Sequence, residues 1–136
     1  MNKVFSTLFI SLLLLSSCAD KSKMLLKTWR VKNLQYSREI PAEMKPTIEA
    51  QIAEMRKNFL LTYNADGTYT TVLSNQTMIG KWKLNWNNSK ITSTAANGEK
   101  KDFTILELTE STYHFKAIEG GEEVIFLMAN QNRFGS

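Results

Sequence analysis

Six turn signals recur at near-constant spacing through the second half of the chain: Asp66-Gly67, Asn75-Gln76, Asn87-Asn88, Asn97-Gly98, Glu110-Ser111 and Gly120-Gly121. Counted through Asp66, Gln76, Asn88, Gly98, Glu110 and Gly120, the intervals are 10, 12, 10, 12 and 10 residues. A parallel strand pair needs a crossover of a dozen or more residues, and these intervals leave no room for one. The segments therefore succeed one another as an antiparallel meander. Asp-Gly, Asn-Gly and Gly-Gly tolerate the positive φ angles of primed hairpin turns, which gives three of the six signals a mechanism.

Between the turns the residues alternate as half-buried strands do. Trp82, Leu84 and Trp86 face one way while Lys81, Lys83 and Asn85 face the other. Tyr69, Thr71 and Leu73 form a second such set, Tyr113, Phe115 and Ala117 a third, and Ile91 with Ser93 a fourth. With the six segments after Gly67, Phe59 to Tyr63 and, earlier, Leu26 to Tyr36, with Trp29 and Val31 on one face, bring the count to eight strands. Eight antiparallel strands in sequence order remove their edges most simply by pairing the first with the last, an up-and-down barrel; an open meander or a two-sheet sandwich is the alternative.

One long connection, Ser37 to Asn58, separates the first two strands. Ile48, Ile52, Met55 and Phe59 recur at helical spacing with charged residues on the other faces, so an α-helix is expected inside 41–58, with Pro46 in its first turn. The last strand, Val124 to Ala129, is apolar on both faces, and Leu34 and Tyr36 extend its outer face if the first and last strands pair. The helix either covers that outer patch or folds over the barrel mouth; the first is expected, because a contiguous apolar patch wants a cover.

The N-terminus stands apart from this pattern. Lys3 supplies a basic start and Val4 to Leu15 an apolar run too short for the ~20 residues that span a bilayer, which reads as a cleaved signal peptide over 1–17. Leu15-Ser16-Ser17-Cys18 then resembles the lipobox of bacterial lipoproteins, and Cys18 is the only cysteine in the chain. The resemblance implies that Cys18 is acylated and becomes the mature N-terminus, a peripheral anchor of the palmitate type with no spanning segment. Residues 18–25 are then a tether, disordered near 18 to 24 and rich in lysine, 26–130 the barrel domain, and 131–136 a tail. The location implied is the cell envelope, at the outer rather than the inner membrane.

Composition narrows the chemistry. A charge of +4 from 17 basic and 13 acidic residues is too mild to argue a nucleic-acid partner. One His and one Cys cannot supply a zinc site, and Asn64-Ala65-Asp66-Gly67 reads as turn chemistry, not as a calcium loop. His114 alternates outward as a solvated strand residue, and Glu107, Glu110, Glu122 and Glu123 sit at strand ends without a partner for acid–base work. No catalytic residue, metal or cofactor is expected.

Leu26-Lys27-Thr28-Trp29-Arg30-Val31, Tyr63-Asn64-Ala65-Asp66-Gly67-Thr68-Tyr69-Thr70, Gly80-Lys81-Trp82-Lys83-Leu84 and Ile105-Leu106-Glu107-Leu108-Thr109 resemble segments of the small lipocalin-like domain lipoproteins of bacteria. The likeness implies an all-β, eight-stranded antiparallel lipocalin-like barrel with one helix between the first and second strands, a calycin-type fold that often holds a small apolar ligand. Lys27 stands where the Gly-x-Trp signature of true lipocalins has its glycine, and only Arg133 is left for their C-terminal Arg. Parity sends Trp29, Tyr63, Tyr69, Trp82, Trp86, Tyr113, Phe115 and Phe126 inward, with Val31, Leu61, Leu73, Leu84, Val124 and Met128. Of these, Trp29, Tyr69, Trp82, Trp86, Tyr113 and Phe126 are the candidate ligand wall, and Met44 and Met55 an adaptable rim. The expected partners are a membrane through Cys18 and a small hydrophobic ligand; an envelope protein binding a filled barrel is the alternative.

Overall fold

The computed structural model describes residues 21–131. The signal segment, Cys18 and Arg133 lie outside these residues. Eight strands run in order: β1 (Thr28–Tyr36), β2 (Phe59–Tyr63), β3 (Thr68–Leu73), β4 (Gln76–Leu84), β5 (Lys90–Ala95), β6 (Lys100–Leu108), β7 (Thr112–Glu119) and β8 (Glu122–Asn130). Each pairs antiparallel with the next, and β8 returns to β1, closing an up-and-down barrel. Helix α1 (Lys45–Asn58), with Pro46 in its first turn and a 3₁₀ turn (Ala42–Met44) before it, connects β1 to β2.

The hairpins use the residues expected to make them, with one shift. Gly120 and Gly121 both have positive φ, 59° and 83°, as a two-residue primed turn requires. The turn expected at Asn75-Gln76 is instead Ser74-Asn75, with φ of 49° and 71°, because Leu73 pairs with Gln76 across it. Asn supplies the left-handed tolerance that Gln lacks.

Two bulges re-aim side chains. Val31 pairs with Met128 and Asn33 with Leu127, so Lys32 is the extra residue in β1. One extra residue reverses the inward–outward parity of every later position in the strand. Leu34 and Tyr36 therefore face the lumen, not the outer patch where simple alternation puts them. A second irregularity at Leu106, between Ile105 and Glu107, leaves that leucine 50% exposed and lets both Ile105 and Leu108 join the core.

The barrel has a closed and an open end. At the closed end, the floor, the expected tether is partly structure: residues 21–25 are helical and Leu25 is fully buried. Its carbonyl accepts a hydrogen bond from Trp29 Nε1 at 3.1 Å. Lys27 donates to the Met24 carbonyl and pairs with Glu110 at 3.1 Å, while Asn130 Nδ2 donates to the Glu110 carbonyl. The polar groups of the floor thus satisfy one another around a buried tryptophan. At the open end, the mouth, lie α1 and the β3–β4, β5–β6 and β7–β8 turns.

Helix α1 does not cover the outer face of β8. Ile52 is buried and Ile48, Met55 and Phe59 pack against the core at the mouth. The helix is tied to β1 through Arg30 Nη1 donating to the Arg56 carbonyl and Arg56 Nε donating to the Lys32 carbonyl. Ile125 and Leu127, on the outer face of β8, are half-buried beside their cross-strand neighbours Gln35, Asn33, Lys116 and His114. His114 faces outward, as its parity predicts, with Nδ1 3.0 Å from Glu107.

Trp29 is the largest fully buried side chain and sits where the first and last strands meet, opposite Asn130. Trp29→Ala is expected to lower the free energy of unfolding by about 3–5 kcal/mol, the cost of a large aromatic cavity, read as a shift of the urea midpoint.

Candidate functional site

The inward residues divide into two layers. Near the floor, Trp29, Tyr113, Tyr63 and Trp82 form an aromatic plug: ring centroids are 5.4 Å apart for Trp29 and Tyr113, 5.9 Å for Tyr63 and Tyr113, and 5.0 Å for Tyr63 and Trp82. Trp82 Nε1 donates to the Asn64 carbonyl at 3.0 Å, which ties the plug to the β2–β3 turn. Such tilted and edge-on contacts suit the ring quadrupoles, and paired rings are worth about 0.5–1.5 kcal/mol beyond their burial. Above the plug, Phe115 links the layers, stacked on Phe126 at 4.9 Å and tilted against Phe103 at 5.1 Å.

Over this second layer the barrel is hollow. A cavity of ≈ 440 Å³ opens at the mouth. Leu34 and Tyr36 of β1, Leu61 and Tyr63 of β2, Phe103, Phe115, Val124 and Phe126 make its apolar wall, and Met55 of the helix and Phe59 at the start of β2 close one side. Tyr69 contributes a ring that lies across Gly80: a Cβ at Gly80 would stand 2.5 Å from two atoms of that ring and from the Thr94 carbonyl oxygen. Only glycine admits this approach, which is the physical meaning of a glycine inside a strand.

Polar groups are few and sit deep on one wall or at the rim. Ser93 is 7% exposed and lines the cavity. Thr71 lines the cavity from β3, and Glu99, Lys101 and Glu119 edge it, with Lys101 Nζ 3.5 Å from Glu119. A dominantly apolar wall with a few convergent polar groups is the usual composition of a small-molecule site.

Of the six residues expected to form the wall, the structure places Tyr69 and Phe126 in it. Trp29, Trp82 and Tyr113 are in the plug beneath. Trp86 departs from its parity: it lies past the end of β4, in the β4–β5 turn, and is 92% exposed. Leu73, the last residue of β3, is 42% exposed and does not line the cavity. Met55 lines the cavity, whereas Met44 does not and is 43% exposed. Leu34 and Tyr36 escaped sequence reasoning because nothing in the sequence marks the bulge at Lys32. Phe103 and Ser93 were within reach of it, since β5 and β6 alternate regularly up to Ile105.

Two tyrosines of the plug carry a pH signature. Tyr63 and Tyr113 share a hydroxyl–hydroxyl hydrogen bond of 3.0 Å. Burial pushes both hydroxyls well above the ordinary value of 10.0; at Tyr113 the neighbouring Tyr63 adds to the rise, while at Tyr63 the hydrogen bond opposes it. The folded chain therefore holds protons that the unfolded chain releases. Their contribution to stability is complete below about pH 10 and falls as pH rises beyond it. The urea midpoint should drop above that pH, and the drop should be shallower in a Tyr63→Phe/Tyr113→Phe double variant, which keeps the rings and removes both titrating groups.

No protein-family model matches the chain, and no curated protein matches its sequence. Among solved structures, a DUF4847 family protein from Bacteroides vulgatus ATCC 8482 superposes with a TM-score of 0.56 at 14% sequence identity, over 80% of this chain and 95% of that one. The likeness is one of fold: an eight-stranded antiparallel barrel.

Proposed function

We propose that the chain is a lipid-anchored envelope protein whose barrel binds a small apolar or amphipathic molecule at its mouth. The observation that carries the reading is the cavity: ≈ 440 Å³ lies within the range of about 300–1,000 Å³ typical of ligand sites. A barrel of eight strands is just wide enough to be filled by its own side chains or to hold one small ligand. Here the aromatic side chains fill the floor half and leave the mouth half open.

Titration with an apolar fluorescent probe such as N-phenyl-1-naphthylamine, followed by displacement with fatty acids, sterols and isoprenoids, tests the reading. A single site in the micromolar range, about 8 kcal/mol, is expected. Ala95 lines the cavity at the end of β5. Ala95→Phe puts a ring into the mouth without removing a core side chain, and should weaken probe binding at least tenfold while the urea midpoint is kept. No binding by wild type at millimolar probe overturns the reading in favour of a protein partner. Such a partner would meet the apolar residues exposed on the β3–β4 hairpin, Leu73, Met78 and Ile79.

The anchor has its own test. The lipobox-like Leu15 to Cys18 supports it. Cys18→Ala is expected to shift the protein from the membrane fraction to the soluble fraction or to stall its processing; unchanged partition with an N-terminal peptide starting elsewhere overturns the anchor.

A further inference from the structure

The floor end of the barrel is chemically unlike the mouth. Trp86, at 92%, is the most exposed of the large apolar residues among the described ones and belongs to the β4–β5 turn, at the same end of the barrel as the helical turn of residues 21–25. It is flanked along the strands by Lys83 and Lys90, both exposed. The floor segments 21–27, 64–67, 81–90 and 107–112 together carry six lysines against three carboxylates. One of those carboxylates, Glu110, pairs with one of the lysines, Lys27, at 3.1 Å, which leaves five lysines against two carboxylates. The mouth segments 37–58, 96–101 and 119–123 reverse the sign, with eight carboxylates against six cations. The barrel is thus polarised along its axis.

We propose that the floor is a docking surface for an anionic lipid bilayer, with Trp86 in the interface and the surrounding lysines on the headgroups. A tryptophan standing alone in water is costly to leave unburied, and its ring and N–H suit the boundary between hydrocarbon and headgroup. Lysines clustered around it add an attraction that acts within a Debye length, about 10 Å. The proposal rests on the anchor at Cys18 for its geometry. Cys18 precedes Lys21 by three residues, a reach of at most about 10 Å, and Leu25, four residues on from Lys21, is already locked into the floor. An acylated Cys18 therefore holds the floor, and not the mouth, against the membrane.

The test uses the mature chain as the cell processes it, reconstituted into vesicles of brominated phosphatidylcholine with or without phosphatidylglycerol. Trp29 is fully buried and Trp82 is half-buried, so the Trp86 signal is isolated by subtracting the emission of a Trp86→Phe variant. The expected result is that bromine at least halves the Trp86-dependent emission, that phosphatidylglycerol deepens the quenching, and that Lys83→Glu/Lys90→Glu or high salt reverses the phosphatidylglycerol effect. An acylated chain whose Trp86 emission stays unquenched and solvent-like on both membranes overturns the proposal and leaves Trp86 to a protein partner. The mass of the N-terminal peptide separates this from failure of the anchor. If Cys18 is unmodified, quenching on phosphatidylglycerol vesicles still supports the docking surface, and its absence there still overturns it.

Discussion

Closure of β8 onto β1 is the constraint on which the other features depend. The two strands pair from Trp29–Asn130 at the floor to Tyr36–Val124 at the mouth. Closure leaves one short gap: β1 meets β2 only over Thr28–Arg30, and beyond it the edge of β1 is met by α1, through Arg56 Nε donating to the Lys32 carbonyl. Strand number then fixes the diameter, so the interior is a given volume that side chains must share. Trp29 sits at this seam, with its indole N–H on the Leu25 carbonyl and its ring on Tyr113. The seam, the floor and the aromatic plug are therefore one cooperative unit.

The cavity is what remains after that sharing. Trp29, Tyr63, Trp82 and Tyr113 are all in the floor half, where their tilted contacts and the Tyr63–Tyr113 hydrogen bond leave no buried polar side-chain atom unpaired among the described residues. In the mouth half Phe103, Phe115 and Phe126 line the wall, while Leu34, Ser93 and Ala95 are smaller and the Tyr69 ring is laid over Gly80. Helix α1 completes the asymmetry. It is the one long connection, and it leaves from and returns to the mouth, so its apolar stripe has the cavity and not the outer sheet as its nearest dry surface.

The strand count, their order, the closure and the helix between β1 and β2 were legible because each is written in a local period: turn residues every 10 to 12 positions, alternation between them, and one stretch at helical spacing; the surface that the helix packs on was not. Failures occurred where a single residue changes a global phase. Lys32 as a bulge sends Leu34 and Tyr36 inward, yet a lysine in a strand looks the same bulged or not. Trp86 carries the right parity but lies two residues past the last residue of β4, where alternation has no sheet to refer to. The split between plug and cavity was illegible for a different reason. Parity says which face a residue takes and nothing of its height along the axis, which register and barrel stagger decide together.

Height along the axis also decides how the two proposals fit together. With the floor toward the membrane, the aromatic plug of Trp29, Tyr113, Tyr63 and Trp82 would lie between the bilayer and the cavity. On the proposed function and orientation, a ligand would enter and leave from the aqueous side, past Met55 of the helix, Phe59 at the start of β2 and the Lys101–Glu119 pair. That route suits a molecule with a polar end that stays at the rim while its apolar part takes the wall. The excess of carboxylates around the mouth weighs against a strongly anionic head, since like charges at close quarters cost binding. If the chain binds a ligand and is oriented as proposed, the expected cargo is a neutral or cationic amphiphile that reaches the mouth across the aqueous space.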